Sequence, residues 1–360
     1  MIPALRTAVL ALIVTFCTGG AQAYPVGERH LQTVQPTAKP RDAQQHDNLR
    51  ITLWYPAAPT AEEQDLTIGP PDNPLFFVGE SAPDAAFADD QRRPVILLSH
   101  GFGGTARMMG WFGTVLAQQG YIVVAVDHPG NNGLDPMTVA GAVMFWERPG
   151  DLAAALARVR TDPELYRHLD LSRVGVAGFS AGGFTSLVAA GARVDLARLT
   201  AFCAERPSDG VCAPQKEFTV TPQEAQAFLA GPEIAPRAAR AGDDLSLPEV
   251  RAAFVMAPAI VQALDPGSLR AMRTPVSIIL GDSDVVAPPN TNGGVAVRAI
   301  PGARMKVLAG VGHYDFLARC TAAGQRVVPL CPTEVPRGET HRATLEAALR
   351  FFAQTIGGAP

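Results

Sequence analysis

Six short apolar runs, at 95–98, 122–126, 174–177, 253–256, 276–280 and 305–308, punctuate this chain. Runs of four or five residues are too brief for helices, and their lack of polar alternation marks strands buried on both faces. Helical spacing lies between them, at 106–119 (closed by Gly120), at about 151–160 and at 181–192. Buried strands alternating with helices require a mostly parallel sheet with helices on both faces, an α/β fold. Upstream, Leu49, Ile51, Leu53 and Tyr55 alternate with Arg50, Thr52 and Trp54, the pattern of an amphipathic strand. Residues 32–48 read as a polar surface wrap and 57–93 as an irregular connection. The last helix carries Leu345, Ala348, Leu349, Phe352 and Ile356 on one side. Between 192 and 249 the alternation breaks. A stretch rich in Ala, Pro and acidic residues there reads as an insertion, about 193–249, forming a cap over the sheet or a surface excursion without a binding role.

The amino terminus has the three parts of an export signal: Arg6, an apolar run at 8–16, and small residues ending Ala21, Gln22, Ala23. The run is too short to span a bilayer. Cleavage is expected after Ala23, leaving one domain, 24–360, in a periplasm or outside the cell. Cys17 follows the bulky Phe16, a poor setting for lipidation. No later run is long enough to cross a membrane, so stable membrane insertion is not expected. Without the leader, Cys203, Cys212, Cys320 and Cys331 remain, and in an oxidising compartment they read as disulfides. The spacing favours Cys203–Cys212 and Cys320–Cys331, with two other connectivities open. The chain has no C-x-x-C and no neighbouring histidine pair, so no metal site is expected. Net charge is −4 and scattered, without a basic stripe, which argues against nucleic acid as a partner.

The chemistry concentrates at strand ends. Gly178, Phe179, Ser180, Ala181 and Gly182 form a G-x-S-x-G between a buried run and a helix, the setting of a nucleophile elbow. The glycines leave room for close backbone, and the serine sits at the positive end of the following helix. His100, Gly101, Phe102, Gly103 and Gly104 end an earlier strand. Such a loop supplies one N–H of an oxyanion hole and the residue after the nucleophile supplies the other, here Phe102 and Ala181. Donors of this kind contribute about 3–4 kcal/mol each. Gly101, Gly103 and Ala106, with Asp127 ending the next strand, also fit a dinucleotide fingerprint. That reading leaves Ser180 and His313 unexplained.

A triad in this fold runs Ser, Asp, His along the chain. Asp282 and Asp284 end one buried run, and His313 follows the last. His313 is the expected base and Asp284 the expected acid, chosen over Asp282 because Gly281-x-x-Asp284 followed by Ala287 and Pro288 resembles the usual acid loop. Asp282 would then cap the turn. The same two carboxylates are too few for a cation site. His128 reads as a group satisfying local backbone, His341 as a surface residue, and Met144, Phe145 and Trp146 as core or acyl-pocket residues.

These motifs together resemble the platelet-activating-factor acetylhydrolase-like and predicted dienelactone hydrolase branch of the α/β-hydrolases. The resemblance rests on Leu53 to Pro56, Ser99 to Gly104, Asp127 to Gly130, Arg148-Pro149-x-Asp151, Gly178 to Gly183, the Cys203 and Cys212 region, and Gly312-His313-x-Asp315-Phe316. It implies an α/β-hydrolase fold and a carboxylic ester hydrolase with a Ser-Asp-His triad and no cofactor; a small-molecule ester is the expected substrate. Dienelactone hydrolases proper use a cysteine nucleophile, and this chain has serine. A non-catalytic binding protein and a peptidase or amidase on the same scaffold are the alternative expectations.

Overall fold

The computed structural model describes residues 23–358, so the export-signal reading at 1–22 lies outside the described residues. Among the described residues there are eleven strands: β1 (Val26–Val34), β2 (Asn48–Pro56), β3 (Gln64–Ile68), β4 (Phe76–Pro83), β5 (Arg93–Ser99), β6 (Ile122–Asp127), β7 (Leu169–Phe179), β8 (Val250–Met256), β9 (Val276–Gly281), β10 (Arg304–Leu308) and β11 (Arg319–Cys320). They join in one sheet of order β10-β9-β8-β7-β5-β6-β2-β1-β4-β11, with β3 paired to β4. The six apolar runs became β5 to β10, and every pair among them is parallel. β2 turns antiparallel to β6, and β1 to β2. The chain has the α/β-hydrolase fold.

Period-two alternation splits the core between the two faces of the sheet. Val95 and Leu97 pack with Leu152, Leu156, Phe184 and Leu187 on one side. Ile96 and Leu98 pack with Phe112, Leu116, Phe351 and Phe352 on the other. Each fully buried aliphatic or aromatic side chain contributes about 1.5–3 kcal/mol against the entropy of ordering. The helices Gly110–Gln118 and Arg337–Phe352 cover one face, and Arg148–Thr161 and Ala181–Ala189 the other.

Five sequence expectations need correction. The connection at 57–93 holds β3 and β4, short strands whose half-exposed pattern gives no clean period. The polar stretch at 32–48 begins inside β1, and it buries Arg41 rather than only wrapping the surface. In β10, Met305 and Val307 are exposed, because this strand is the sheet's edge. His341 is buried, stacked on Trp111 with ring centroids 3.7 Å apart, and its Nε2 bonds the carbonyl of Leu317. On the supposed polar face of β2, Arg50 is half-buried but Thr52 and Trp54 are buried, and Trp54 Nε1–H donates to Glu28 at 2.8 Å.

Strand order reverses at β5. The chain leaves β5 toward β6 on one side and later runs from β7 to β8 on the other, which opens a crevice at the carboxyl ends of β5 and β7. Ser99 pairs with Gly178 in that register, so the loop after β5 and the turn after β7 start side by side.

Candidate active site

Ser180 sits between β7 and the helix Ala181–Ala189 with φ 58° and ψ −119°. A serine in this region carries strain of about 1–3 kcal/mol and persists only where its surroundings hold it. Two glycines make the turn possible. A Cβ on Gly178 would stand 2.1 Å from the carbonyl oxygen of Gly182, and one on Gly182 would stand 2.0 Å from that of Ser99. Backbone bonds to the end of β8 hold the elbow: Ser180 N–H donates to Met256 O at 2.9 Å, and Ala259 N–H to Ser180 O at 3.2 Å.

The three residues chosen from sequence as nucleophile, base and acid lie together. His313 Nε2 is 2.8 Å from Ser180 Oγ, and His313 Nδ1 is 2.7 Å from Asp284 Oδ2. The carboxylate can only accept, so Nδ1 carries the proton and Nε2 is left to receive the serine's. Asp284 is fixed by N–H donation from Val286 and Ala287 to its Oδ1, at 2.9 and 2.7 Å. Asp282 lies outside this array. Its Oδ1 accepts from Gly310 N–H at 2.7 Å and ties the β9 and β10 ends together. Phe102 and Ala181 line the same cavity as Ser180, and among the described residues neither backbone N–H has an acceptor. Two free donors beside a hydroxyl are what a developing oxyanion requires.

A second array lies beneath the β5 loop, unread from sequence. His128 Nε2 is 2.8 Å from Ser99 Oγ, and His128 Nδ1 is 2.8 Å from Asp151 Oδ2. All three side chains are inaccessible to solvent. Arg41 grips Asp151 with two guanidinium nitrogens at 2.7 and 2.9 Å. His100 Nε2 accepts from His128 N–H at 3.1 Å, and Arg148 Nη2 donates to the His100 carbonyl. Burial, with the Arg148 charge adding to it, holds the His128 imidazole down to about 3 despite the carboxylate beside it. Burial, then His128 and Arg148, also pushes His100 well below its ordinary range. Burial alone would raise Asp151, but the Arg41 charge and the bonds from His128 and Arg41 hold it well below the usual carboxylate range. The motifs Ser99 to Gly104, Asp127 to Gly130 and Arg148-Pro149-x-Asp151 carry most of its members in the sequence without showing that they meet; Arg41, 110 residues upstream of Asp151, gave no signal.

The segment 193–249 folds as the helices Leu196–Glu205, Pro222–Leu229 and Ala235–Ala238, with Cys203 bonded to Cys212. Cys320 is bonded to Cys331. Leu199, Phe218, Val220, Leu229 and the Cys203–Cys212 bridge face Phe145, Ile260 and Ser180 across a cavity of about 570 Å³. Of the apolar trio 144–146, Met144 and Trp146 are core, and Phe145 lines this cavity. The segment also touches the acid loop, where Thr291 Oγ1 donates to Asp209 at 2.8 Å. Among the described residues, no helix is long and apolar enough to cross a membrane, and no cluster of three or more His, Cys, Asp or Glu side chains could hold a metal.

A family described as PET hydrolase-like matches residues 87–210, about a third of the chain. That stretch holds the 100–104 loop and the Ser180 elbow but neither Asp284 nor His313. Among solved structures, a ferulic acid esterase from Streptomyces cinnamoneus is similar at 21% identity and TM-score 0.61, over 93% of this chain and 91% of that one. A puromycin-hydrolysing peptidase from Mycobacterium tuberculosis is similar at 15% identity and TM-score 0.50, over 92% of this chain and 40% of that one. No curated protein sequence matches.

Proposed function

The chain is an α/β-hydrolase by fold, and from that premise we propose that it is a carboxylic ester hydrolase working through an acyl-enzyme on Ser180. One observation carries the reading: a strained serine hydroxyl 2.8 Å from an imidazole nitrogen whose other nitrogen is 2.7 Å from a buried carboxylate. The similarity of residues 87–210 to the PET hydrolase-like family and the fold shared with a ferulic acid esterase support ester chemistry.

Ser180 Oγ attacks the ester carbonyl carbon while His313 Nε2 takes its proton. The carbonyl oxygen becomes an oxyanion between the N–H groups of Phe102 and Ala181. Asp284 stabilises the imidazolium. Collapse of the intermediate breaks the ester bond, and His313 returns the proton to the departing alcohol. Water then repeats the sequence against the acyl-enzyme: it loses a proton to His313, the acid departs, and Ser180 is reprotonated. The helices of 193–249 act as a cap that closes the apolar side of the site and excludes bulk water. The substrate is a small-molecule ester. The A-x-A leader ending at Ala23 and the two disulfides support export.

A fluorophosphonate probe tests the assignment. It should label Ser180, and Ser180→Ala should abolish both labelling and turnover of 4-nitrophenyl acetate, by at least about 10³-fold in kcat. Labelling that survives Ser180→Ala would refute it. Turnover of a 4-nitroanilide faster than the matching nitrophenyl ester would make the protein an amidase instead.

A further inference from the structure

The cavity beside Ser180 is apolar, and among the described residues lining it only one is charged, Arg148. No carboxylate lines the cavity, and none among the described residues lies within ion-pair distance of this guanidinium. The side chain is 2% exposed. Its Nη2 donates to the His100 carbonyl. Its Nε is buried without an acceptor, and its Nη1 makes no hydrogen bond among the described residues. The two nearest acids in sequence are already engaged: Glu147 pairs with Arg237 at 3.6 Å, and Asp151 takes bonds on Oδ1 from Arg41 and Gln35 at 2.7 and 3.1 Å and on Oδ2 from Arg41 and His128 at 2.9 and 2.8 Å.

Two guanidinium cations, one carboxylate and a neutral His128 leave this buried cluster with one unbalanced positive charge. Burial pushes the Arg148 guanidinium down to about 9, which still leaves it charged at neutral pH. An unpaired buried cation is costly, and a guanidinium fork suits a carboxylate in shape and charge. Cationic esters are disfavoured by the same field.

Resting on the ester hydrolase reading, we propose that Arg148 receives a carboxylate carried by the substrate, so that the preferred ester is a half-ester of a dicarboxylic acid with an apolar spacer. The spacer lies along the Phe145, Leu199 and Ile260 surface, the ester carbonyl enters the Phe102 and Ala181 donors, and the free carboxylate meets Arg148.

The test compares 4-nitrophenyl hydrogen adipate with 4-nitrophenyl hexanoate, acyl groups of equal length that differ by a carboxylate in place of a methyl. Wild-type protein should hydrolyse the adipate with kcat/KM at least equal to that of the hexanoate. Arg148→Met should lower the adipate-to-hexanoate ratio at least tenfold, mainly through KM, and Arg148→Lys should restore part of it. A wild-type preference of tenfold or more for hexanoate would overturn the proposal. So would a ratio unchanged within twofold in Arg148→Met, since Arg148 would then serve only to hold the His100 carbonyl. If Arg148→Met does not fold, the wild-type ratio decides alone. Hexanoate turnover without adipate turnover defeats this inference only; no turnover of either ester and no fluorophosphonate labelling defeats the ester hydrolase reading itself.

Discussion

His128 Nε2 lies 2.8 Å from the hydroxyl of Ser99, the same separation that joins His313 Nε2 to Ser180. The first pair is sealed in the core and the second opens on the cavity. Both histidines are backed by an aspartate. Access therefore separates them: the buried array anchors the loop that carries Phe102, and the open one faces the cavity.

The buried array makes Asp151→Asn a severe substitution. It keeps the shape but removes the one negative charge between Arg41 and Arg148. Loss of about 3–5 kcal/mol in denaturant unfolding is expected. Arg342→Ala, which breaks an exposed pair with Glu346, should cost less than about 1 kcal/mol. Equal costs for the two would contradict the role given to Asp151.

Gly182→Ala places a methyl 2.0 Å from the Ser99 carbonyl and 2.7 Å from that of His100, both backbone atoms. The elbow cannot keep its geometry. Soluble Gly182→Ala protein should lose at least about 10²-fold in kcat through displaced Ser180 and oxyanion donors. The contrast is Gly338→Ala, where an added Cβ meets nothing within 4 Å, and wild-type rates are expected there.

Stability should fall with acid well before the carboxylates titrate. Burial holds the imidazoles of His128 and His341 down to about 3, and His100 is lowered as well. Unfolded histidines bind protons near 6.5. Below that pH the unfolded chain takes up protons that the folded chain refuses, so the stability present above about pH 6.5 is lost as pH falls toward 3. Each histidine removes roughly 2 kcal/mol between pH 7 and pH 5. Asp151, lowered when folded, adds its own loss below about pH 4. Thermal unfolding at graded pH checks this, and a melting temperature flat from pH 7 to pH 5 would contradict it.

The Cys203–Cys212 bridge lines the cavity while the sheet lies apart from it. Replacing both cysteines by serine should raise KM for a 4-nitrophenyl hexanoate substrate severalfold and leave fluorophosphonate labelling of Ser180 intact. Loss of labelling together with unfolding of the sheet would show that the bridge holds the whole domain.

The apolar runs alone determined the parallel sheet, because a strand buried on both faces leaves no room for polar residues, and this pattern is local. The elbow was equally legible, since Gly178 and Gly182 are demanded by contacts within a few residues or one neighbouring strand end. Chain order and strand-end position brought forward Ser180, His313 and the pair Asp282 and Asp284, and the Gly281-x-x-Asp284 pattern followed by Ala287 and Pro288 chose Asp284 within it. What the sequence did not disclose was pairing across the fold. Arg41 meets Asp151, His128 meets Ser99, and His341 stacks on Trp111, yet nothing beside any of them in sequence announces the partner. Their burial is decided by which loops the sheet brings together, and a polar side chain becomes a core residue only where a distant one satisfies it. The unmatched charge of Arg148 belongs to the same class: a lone arginine in sequence is ordinary, and only the enclosed cavity, with no acid facing it, makes it a site.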